Sequence, residues 1–454
     1  MWRPASRVAL LPDALPAAML GWLLLAGGGG ILYARAEVAA QCGAAALLAA
    51  CAIFCPYLVR IRLVAVMVAG LVVLVPLAQL VPLPPSVWQG MPGRATDVAI
   101  LSLVGQQHSW HPWSMTPQRT FASLMSMLPP LAILVLAAGL DRRARWWMLL
   151  VVAATSLIGL VIGVAARGSG WSGLFIYSDM TSSGITGFQS SHNGEADIML
   201  FGMMSYVAVC LEWFAARPRP FASWQIGCAT LSGMIVYVLG VFFTSSRMGI
   251  LLLVPAGFAC LLMLWRSALV HRGAVLAIAG GGAIVTAVAA FALRNDAAVI
   301  AIVSRFGAGD PARETMWRQS IAVAKGLYPF GAGIGSFIPL FMRCEALETV
   351  TDTYVIRAHN DFIELLVEAG VLGAAVLVAV CVILVISLVR NMKRQEGVFG
   401  TQGIFAVFVL LLIALHSLVD YPLRSMSIAS VAALALSILL ASPKGEWSAR
   451  RLKG

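Results

Sequence analysis

The sequence predicts an all-α, polytopic membrane protein, and three observations carry that prediction. The first is composition: 60% of the 454 residues are hydrophobic and 11% charged, with a mean hydropathy of +0.89. A soluble domain carries roughly a quarter charged residues, so this chain belongs in lipid. The second is length: apolar runs of about 20 residues recur, enough to cross about 30 Å of hydrocarbon as helix. Only helices and closed barrels satisfy their backbone in lipid, and these runs are too long for barrel strands. The third is the placement of arginine and lysine, which alternates with the runs.

About twelve spans follow, near 14–34, 38–58, 62–82, 119–140, 146–166, 197–216, 225–244, 249–266, 274–293, 363–389, 401–419 and 425–441. With twelve, the basic segments share one face. They are Arg3 and Arg7; Arg60 and Arg62; Arg142, Arg143 and Arg145; Arg217 and Arg219; Arg266 and Arg272; Arg390, Lys393 and Arg394; and Lys444, Arg450, Arg451 and Lys453. That face is cytoplasmic by the positive-inside rule, with both termini inside and Arg35 as an exception. The whole chain, 1–454, reads as one integral membrane domain. The first apolar run is followed by many more, so it reads as a signal anchor.

The long loops then fall outside. Residues 82–119 carry Pro82, Pro84 and Pro85, which oppose a regular helix, and Trp88, Trp110 and Trp113, which suit a headgroup zone. Residues 167–197 are rich in Gly, Ser and Thr. The largest loop, 294–360, lies between the ninth and tenth spans and holds Arg305, Arg313, Arg318, Arg343 and Arg357. An outer loop this rich in arginine suits a polyanion such as a pyrophosphate, because the guanidinium fork matches phosphate oxygens.

The net charge of +11 reflects basic cytoplasmic loops rather than a nucleic-acid partner. No Cys-x-x-Cys or zinc-like spacing is present. Seven of the eight cysteines fall in apolar segments, and Cys344 in a polar loop has no obvious partner.

The chemistry-bearing residues collect at the outer ends of spans. Ser245-Ser246-Arg247 joins two spans, where an arginine either snorkels or clamps phosphate. Arg313-Glu314-Thr315-Met316-Trp317-Arg318 reads as a short amphipathic helix, with Arg313 and Trp317 on one face. It either lies on the membrane surface or carries Arg313 to a ligand. Gly331, Gly333 and Gly335 permit tight turns or let backbone N–H groups approach an anion. His359 lies at the mouth of a span, with Arg357 and Asp361 beside it and Glu364 and Glu368 on the following helix. It is either a hydrogen-bonded structural residue or a general base, and histidine's ordinary pKa suits the latter at neutral pH. His416, Asp420 and Arg424 cluster where Pro422 breaks the last helical hairpin. His192, Asn193, Glu195 and Asp197 add a polar group on the same side.

These residues resemble, in order, the O-antigen ligase and polysaccharide polymerase superfamily. The resemblance rests on Ser245-Ser246-Arg247, Arg313-x-x-x-Trp317, the glycine triplet after Pro329, and Ala358-His359-Asn360-Asp361 running to Gly373. It spans roughly 240–375 and extends to the rest through the twelve-span layout. It implies a metal-independent, GT-C-like membrane glycosyltransferase of the bacterial inner membrane, working on the periplasmic side without cofactors. Its donor would be a glycan on undecaprenyl pyrophosphate. Its acceptor would be a lipid-linked repeat unit, for a polymerase, or lipid A-core, for a ligase. Arg247 and Arg313 would hold the pyrophosphate, with Arg318 in reserve, and His359 would take the acceptor's proton. Asp361, Glu364, His416, Asp420 and Arg424 would support them, with Asp361 or Glu364 orienting the imidazole. A chain-length regulator or envelope assembly proteins would be partners, besides membrane lipid. The segment from His416 to Arg424 tilts the choice toward a polymerase.

Two other classes compete. A lipid-linked glycan transporter or flippase predicts ionisable residues in mid-membrane, whereas charge here collects at span ends. A non-catalytic scaffold predicts that substitutions at these residues leave function intact.

Overall fold

The computed structural model describes residues 11–30, 33–55, 61–169, 177, 184–217, 221–292, 311–350, 354–393 and 400–441. Arg305 and the basic terminal segments lie outside them. The described residues form sixteen α-helices and one pair of two-residue strands. In order they are α1 (Leu11–Ala26), α2 (Ala34–Phe54), α3 (Leu63–Leu80), β1 (Pro82–Leu83), α4 (Pro85–Trp88), α5 (Ala95–Leu103) and β2 (His111–Pro112). Then come α6 (Pro117–Gly139), α7 (Arg142–Ser169), α8 (His192–Ala215), α9 (Ser223–Thr244), α10 (Arg247–Ser267) and α11 (Arg272–Ala292). The last are α12 (Pro311–Gly326), α13 (Phe337–Cys344), α14 (Asp361–Lys393), α15 (Thr401–His416) and α16 (Met426–Leu440).

Eight helices, α2, α3, α6, α7, α8, α9, α10 and α14, are long and apolar enough to cross a membrane. Among the described residues each of the twelve predicted spans falls on a helix: on one of these eight, on the shorter apolar helices α1, α15 and α16, or on the 21-residue α11. The chain is a multi-pass helical membrane protein. Boundaries differ at the ends: α1 stops at Ala26, where a run of glycines begins, and α15 stops at His416 rather than 419.

Helix α8 is the hub, apolar all round as a fully enclosed helix must be. It packs against α7, α9, α10 and α15, and most of its residues from Glu195 to Leu211 are buried. Its first turn carries the polar residues His192, Asn193, Glu195 and Asp197, and so delivers them to one end of the bundle core.

The 82–119 loop is built rather than merely extended. Pro82 pairs with Pro112 and Leu83 with His111, antiparallel. Trp88 is fully buried and donates its indole N–H to the Ser109 carbonyl at 3.0 Å. It therefore packs the loop's own interior, a correction to its reading as a headgroup anchor, while Trp110 is 64% exposed. Asp97 ties this loop to α13 through Arg343 at 3.1 Å.

Helix α14 is broken inside the predicted span. Gly370 has φ 54° and ψ −144°, which separates a buried first segment from the long apolar remainder. A broken helix frees backbone groups that lipid cannot satisfy. Here the 328–337 loop satisfies them: Ala332 donates to the Val367 carbonyl at 2.9 Å, Gly333 to Glu368 at 2.8 Å, and Val371 donates back to Pro329 at 2.9 Å. Gln79 of α3 adds a bond to the Glu368 carbonyl at 2.9 Å and accepts from Ile334 N–H at 2.8 Å.

A Cβ at Gly370 would lie 2.2 Å from the Pro329 carbonyl oxygen, a backbone atom that cannot swing away. The expected result for Gly370→Ala is a loss of about 3 kcal/mol or more, the sum of a left-handed backbone penalty and the clash. Thermal unfolding of the detergent-solubilised protein checks it; an unchanged midpoint would refute the account of the kink.

Candidate active site

Five segments meet at the end of the bundle where α8 begins: the N-termini of α8, α10 and α14, the α15–α16 hairpin, and one face of α12. Asp420 is their common point. His359 Nδ1 is 3.1 Å from Asp420 Oδ1, and the Asn193 amide donates to Asp420 Oδ2 at 2.6 Å. Asn193 in turn accepts from Ser246 at 2.7 Å, and Ser246 caps α10 by accepting from Gly249 N–H at 3.1 Å. Arg247 is the first residue of α10, half-buried and next to that cap. Arg313 Nη1 donates to the Val419 carbonyl at 2.8 Å, one residue before Asp420. Asp420 thus meets His359 directly, while Arg313 bonds the residue before it and Arg247 follows the serine that bonds Asn193.

Local structure explains why His359 stands where it does. Its φ is 47°, in the left-handed region, where a non-glycine residue is uncommon and carries strain of order 1–3 kcal/mol. Ala358 before it is pinned on both sides: its N–H donates to Glu364 at 3.0 Å, and its carbonyl accepts the Trp317 indole at 2.9 Å. After it, Asn360 caps α14, accepting from Phe362 and Ile363 N–H at 3.0 Å each, and its amide reaches the Leu418 carbonyl at 2.8 Å. Asp361 N–H donates to the Ser417 carbonyl at 3.0 Å, and Ser417 returns a bond to the Asp361 carboxylate at 2.9 Å. The His359 ring is 30% exposed and packs edge-on against Tyr421, with centroids 5.0 Å apart.

Asp420 sets the histidine's tautomer. Burial pushes the Asp420 carboxyl up, but the His359 hydrogen bond and charge, the His416 charge and the Asn193 amide outweigh it and hold the group down at about 2. An ionised carboxylate only accepts, so Nδ1 carries a proton, and in the neutral ring Nε2 is then the nitrogen with the lone pair. This is the arrangement a general base needs.

Behind the dyad lies a buried ion cluster. Arg357 pairs with Glu364 at 2.7 Å. Arg424 reaches Glu364 at 3.0 Å, Glu368 at 2.8 Å and Asp361 at 3.8 Å. Glu368 Oε1 also accepts from Gly335 and Phe337 N–H, at 2.9 and 3.1 Å. The anion approached by the glycine loop is therefore an internal carboxylate. Positive φ at Gly331, Gly333 and Gly335 is what lets the loop wrap the broken helix closely.

Arg247, Arg313, His359 and Asp420 are brought together. Asp361 and Glu364 do not orient the imidazole, because the turn into α14 aims them at Ser417, Arg357 and Arg424; Asp420, 61 residues away from His359, takes that part. Arg424 belongs to the ion cluster, and His416 bonds Asp197 at 2.7 Å. Arg318 lies on the outer face of α12, 74% exposed and paired with Glu314 at 3.2 Å. Asn193, Asp197 and Trp317 join the site without having been assigned parts in it. A signal existed: Asn193 and Asp197 are spaced by four, which puts both on one face of α8, and the same spacing separates His416 from Asp420 across the turn that ends α15. Among the described residues no group of three or more His, Cys, Asp or Glu side chains is placed to hold a metal ion.

Residues 232–378 match the family model described as O-antigen ligase. The matched segment runs from α9 through the kink of α14 and so contains Arg247, Arg313 and His359. No curated protein matches the chain.

Proposed function

We propose that this chain, whose 232–378 segment matches the O-antigen ligase family model, is a membrane glycosyltransferase working on a lipid-pyrophosphate-linked glycan. The match supports an O-antigen ligase/polymerase-type membrane enzyme. The observation that carries the finer reading is the His359–Asp420 dyad, with Arg247 and Arg313 on the segments that hold Asp420.

In this reading His359 Nε2 accepts the proton of the acceptor hydroxyl as that oxygen attacks the anomeric carbon. The bond from that carbon to the pyrophosphate oxygen breaks, and the leaving pyrophosphate carries the electron pair away. Arg247 and Arg313 stabilise its charge, which lets the reaction run without a metal or cofactor. Asp420 holds the imidazolium but does not take its proton. The donor is undecaprenyl-pyrophosphate-linked glycan. The acceptor is a lipid-linked repeat unit, or lipid A-core in the ligase alternative. The protein sits in the bacterial inner membrane with both termini cytoplasmic and this site facing the periplasm. A chain-length regulator or envelope assembly proteins are its expected partners.

The glycans of a strain lacking the protein test this reading. Single repeat units mark a polymerase, and uncapped core with intact polymer on lipid marks a ligase. An unchanged glycan profile overturns both. A site substitution sharpens the test: Arg247→Lys is expected to lower turnover by about 10- to 100-fold, since a point charge replaces a bidentate fork. Assay of purified protein on lipid-linked glycan measures it, and unaltered turnover would remove Arg247 from the site.

A further inference from the structure

Asp420 has a second histidine behind it. His416 ends α15, is 1% exposed, and its Nδ1 lies 2.7 and 2.8 Å from the two oxygens of Asp197. Its Nε2 is 3.8 Å from Asp420 Oδ2, within ion-pair distance but without a hydrogen bond. Asp197 is fully buried and Asp420 nearly so. The order His359, Asp420, His416, Asp197 thus alternates ring and carboxylate from the partly exposed His359 into the core.

The charges around His416 can be accounted for. They are Asp197 on α8, Asp420 and Tyr421 on the hairpin that follows it, Asp361 on α14, and Arg357 and Arg424. The two arginines line a cavity of about 80 Å³ together with Asp197, His416, Asp420 and Tyr421. Both, however, are committed to Glu364, Glu368 and Asp361. Asp197 turns both oxygens to His416, and Asp420, already bonded to Asn193 and His359, faces it from the other side, so the position between these two buried carboxylates favours a cation. His416 is the group in that position. As an imidazolium it donates Nδ1–H to Asp197 and turns Nε2–H toward Asp420.

We propose that His416, anchored by Asp197, is a positioning residue for His359: it fixes the Asp420 carboxylate in place and keeps it the anion against which the base is set. The inference rests on the reading of His359 as the base. No proton travels along the row; the acceptor's proton stops at His359 Nε2. His416 moderates the negative field of Asp420, so that His359 is oriented by a carboxylate without being locked in its protonated form.

The test uses the full-length protein in lipid nanodiscs, with ¹⁵N-labelled histidine. Six histidines make the spectrum tractable, and the signals lost in His359→Asn identify that ring. Removing a cation beside Asp420 favours the His359 imidazolium. His416→Gln is therefore expected to raise the pH at which His359 titrates by about half a unit or more, roughly a threefold gain in proton affinity. The acid limb of kcat on lipid-linked glycan should move the same way, with the donor KM little changed. Asp197→Asn, which removes the anchor but keeps the shape, should shift both in the same direction by less, and serves if His416→Gln does not fold. A merely structural role would lower the whole pH profile without moving it. If the His359 titration stays put in whichever variant folds, the inference is overturned even if activity falls. If it moves while His359→Asn retains full turnover, the base reading is what fails, and the coupling loses its catalytic meaning.

Discussion

His359→Asn lowers turnover by about 10²- to 10⁴-fold, the usual contribution of a positioned general base, and leaves donor binding nearly unchanged. Asparagine is the informative replacement. His359 has φ 47°, and asparagine tolerates that left-handed conformation where alanine adds strain of its own. Its side chain can still bond Asp420, but it has no basic nitrogen to offer the acceptor. A kcat that falls while the donor KM holds is the signature of an interaction made in the transition state. Purified protein acting on lipid-linked glycan gives the measurement, and full turnover would end the catalytic assignment. Asp420 constrains the pH dependence. Its folded value of about 2 lies below its ordinary 3.8, so its contribution to stability is complete above about pH 4 and disappears as pH falls toward 2. Asp420 therefore keeps one charge state throughout any workable assay, and an acid limb near neutrality belongs to other groups.

The fold was legible because a bilayer imposes a coarse rule. A helix that crosses hydrocarbon needs about 20 apolar residues, and such runs mark themselves whatever packs beside them. The break at Gly370 was not legible, because a glycine in an apolar helix is ordinary until a second segment, here 328–337, is seen to satisfy the freed carbonyls. The site was legible as a set of residues but not as a set of contacts. Asp361 and Glu364 are close to His359 in sequence, yet the left-handed turn at His359 sends the imidazole toward the hairpin and the carboxylates toward Arg357 and Arg424. The partner of His359 comes instead from 61 residues away, through a hairpin whose position depends on α8, α15 and α16 together. The glycine triplet was legible in kind but not in partner: its loop turns tightly and its N–H groups approach an anion, and the anion is Glu368.

Arg424→Met is expected to destabilise the protein by about 3–5 kcal/mol, the range for removing one partner of a buried ion pair. Arg424 bonds Glu364 at 3.0 Å and Glu368 at 2.8 Å, and both carboxylates are buried. Without it, Glu364 keeps Arg357 and the Ala358 N–H, and Glu368 keeps the Gly335 and Phe337 N–H groups, but Asp361, Glu364 and Glu368 lose the cation they share. The loss should spread to the catalytic end, because Glu364 pins Ala358 beside His359 and Glu368 pins the loop that satisfies the α14 kink. A lower thermal midpoint together with reduced turnover is therefore predicted. The double variant Arg424→Met/Glu368→Gln separates charge from packing. Neutralising Glu368 removes most of the stranded charge while the glutamine oxygen still accepts the two backbone N–H groups, so part of the lost stability should return. If the double variant is no more stable than the single one, Arg424 acts through its packing, and the ion cluster does not hold the base of the site together.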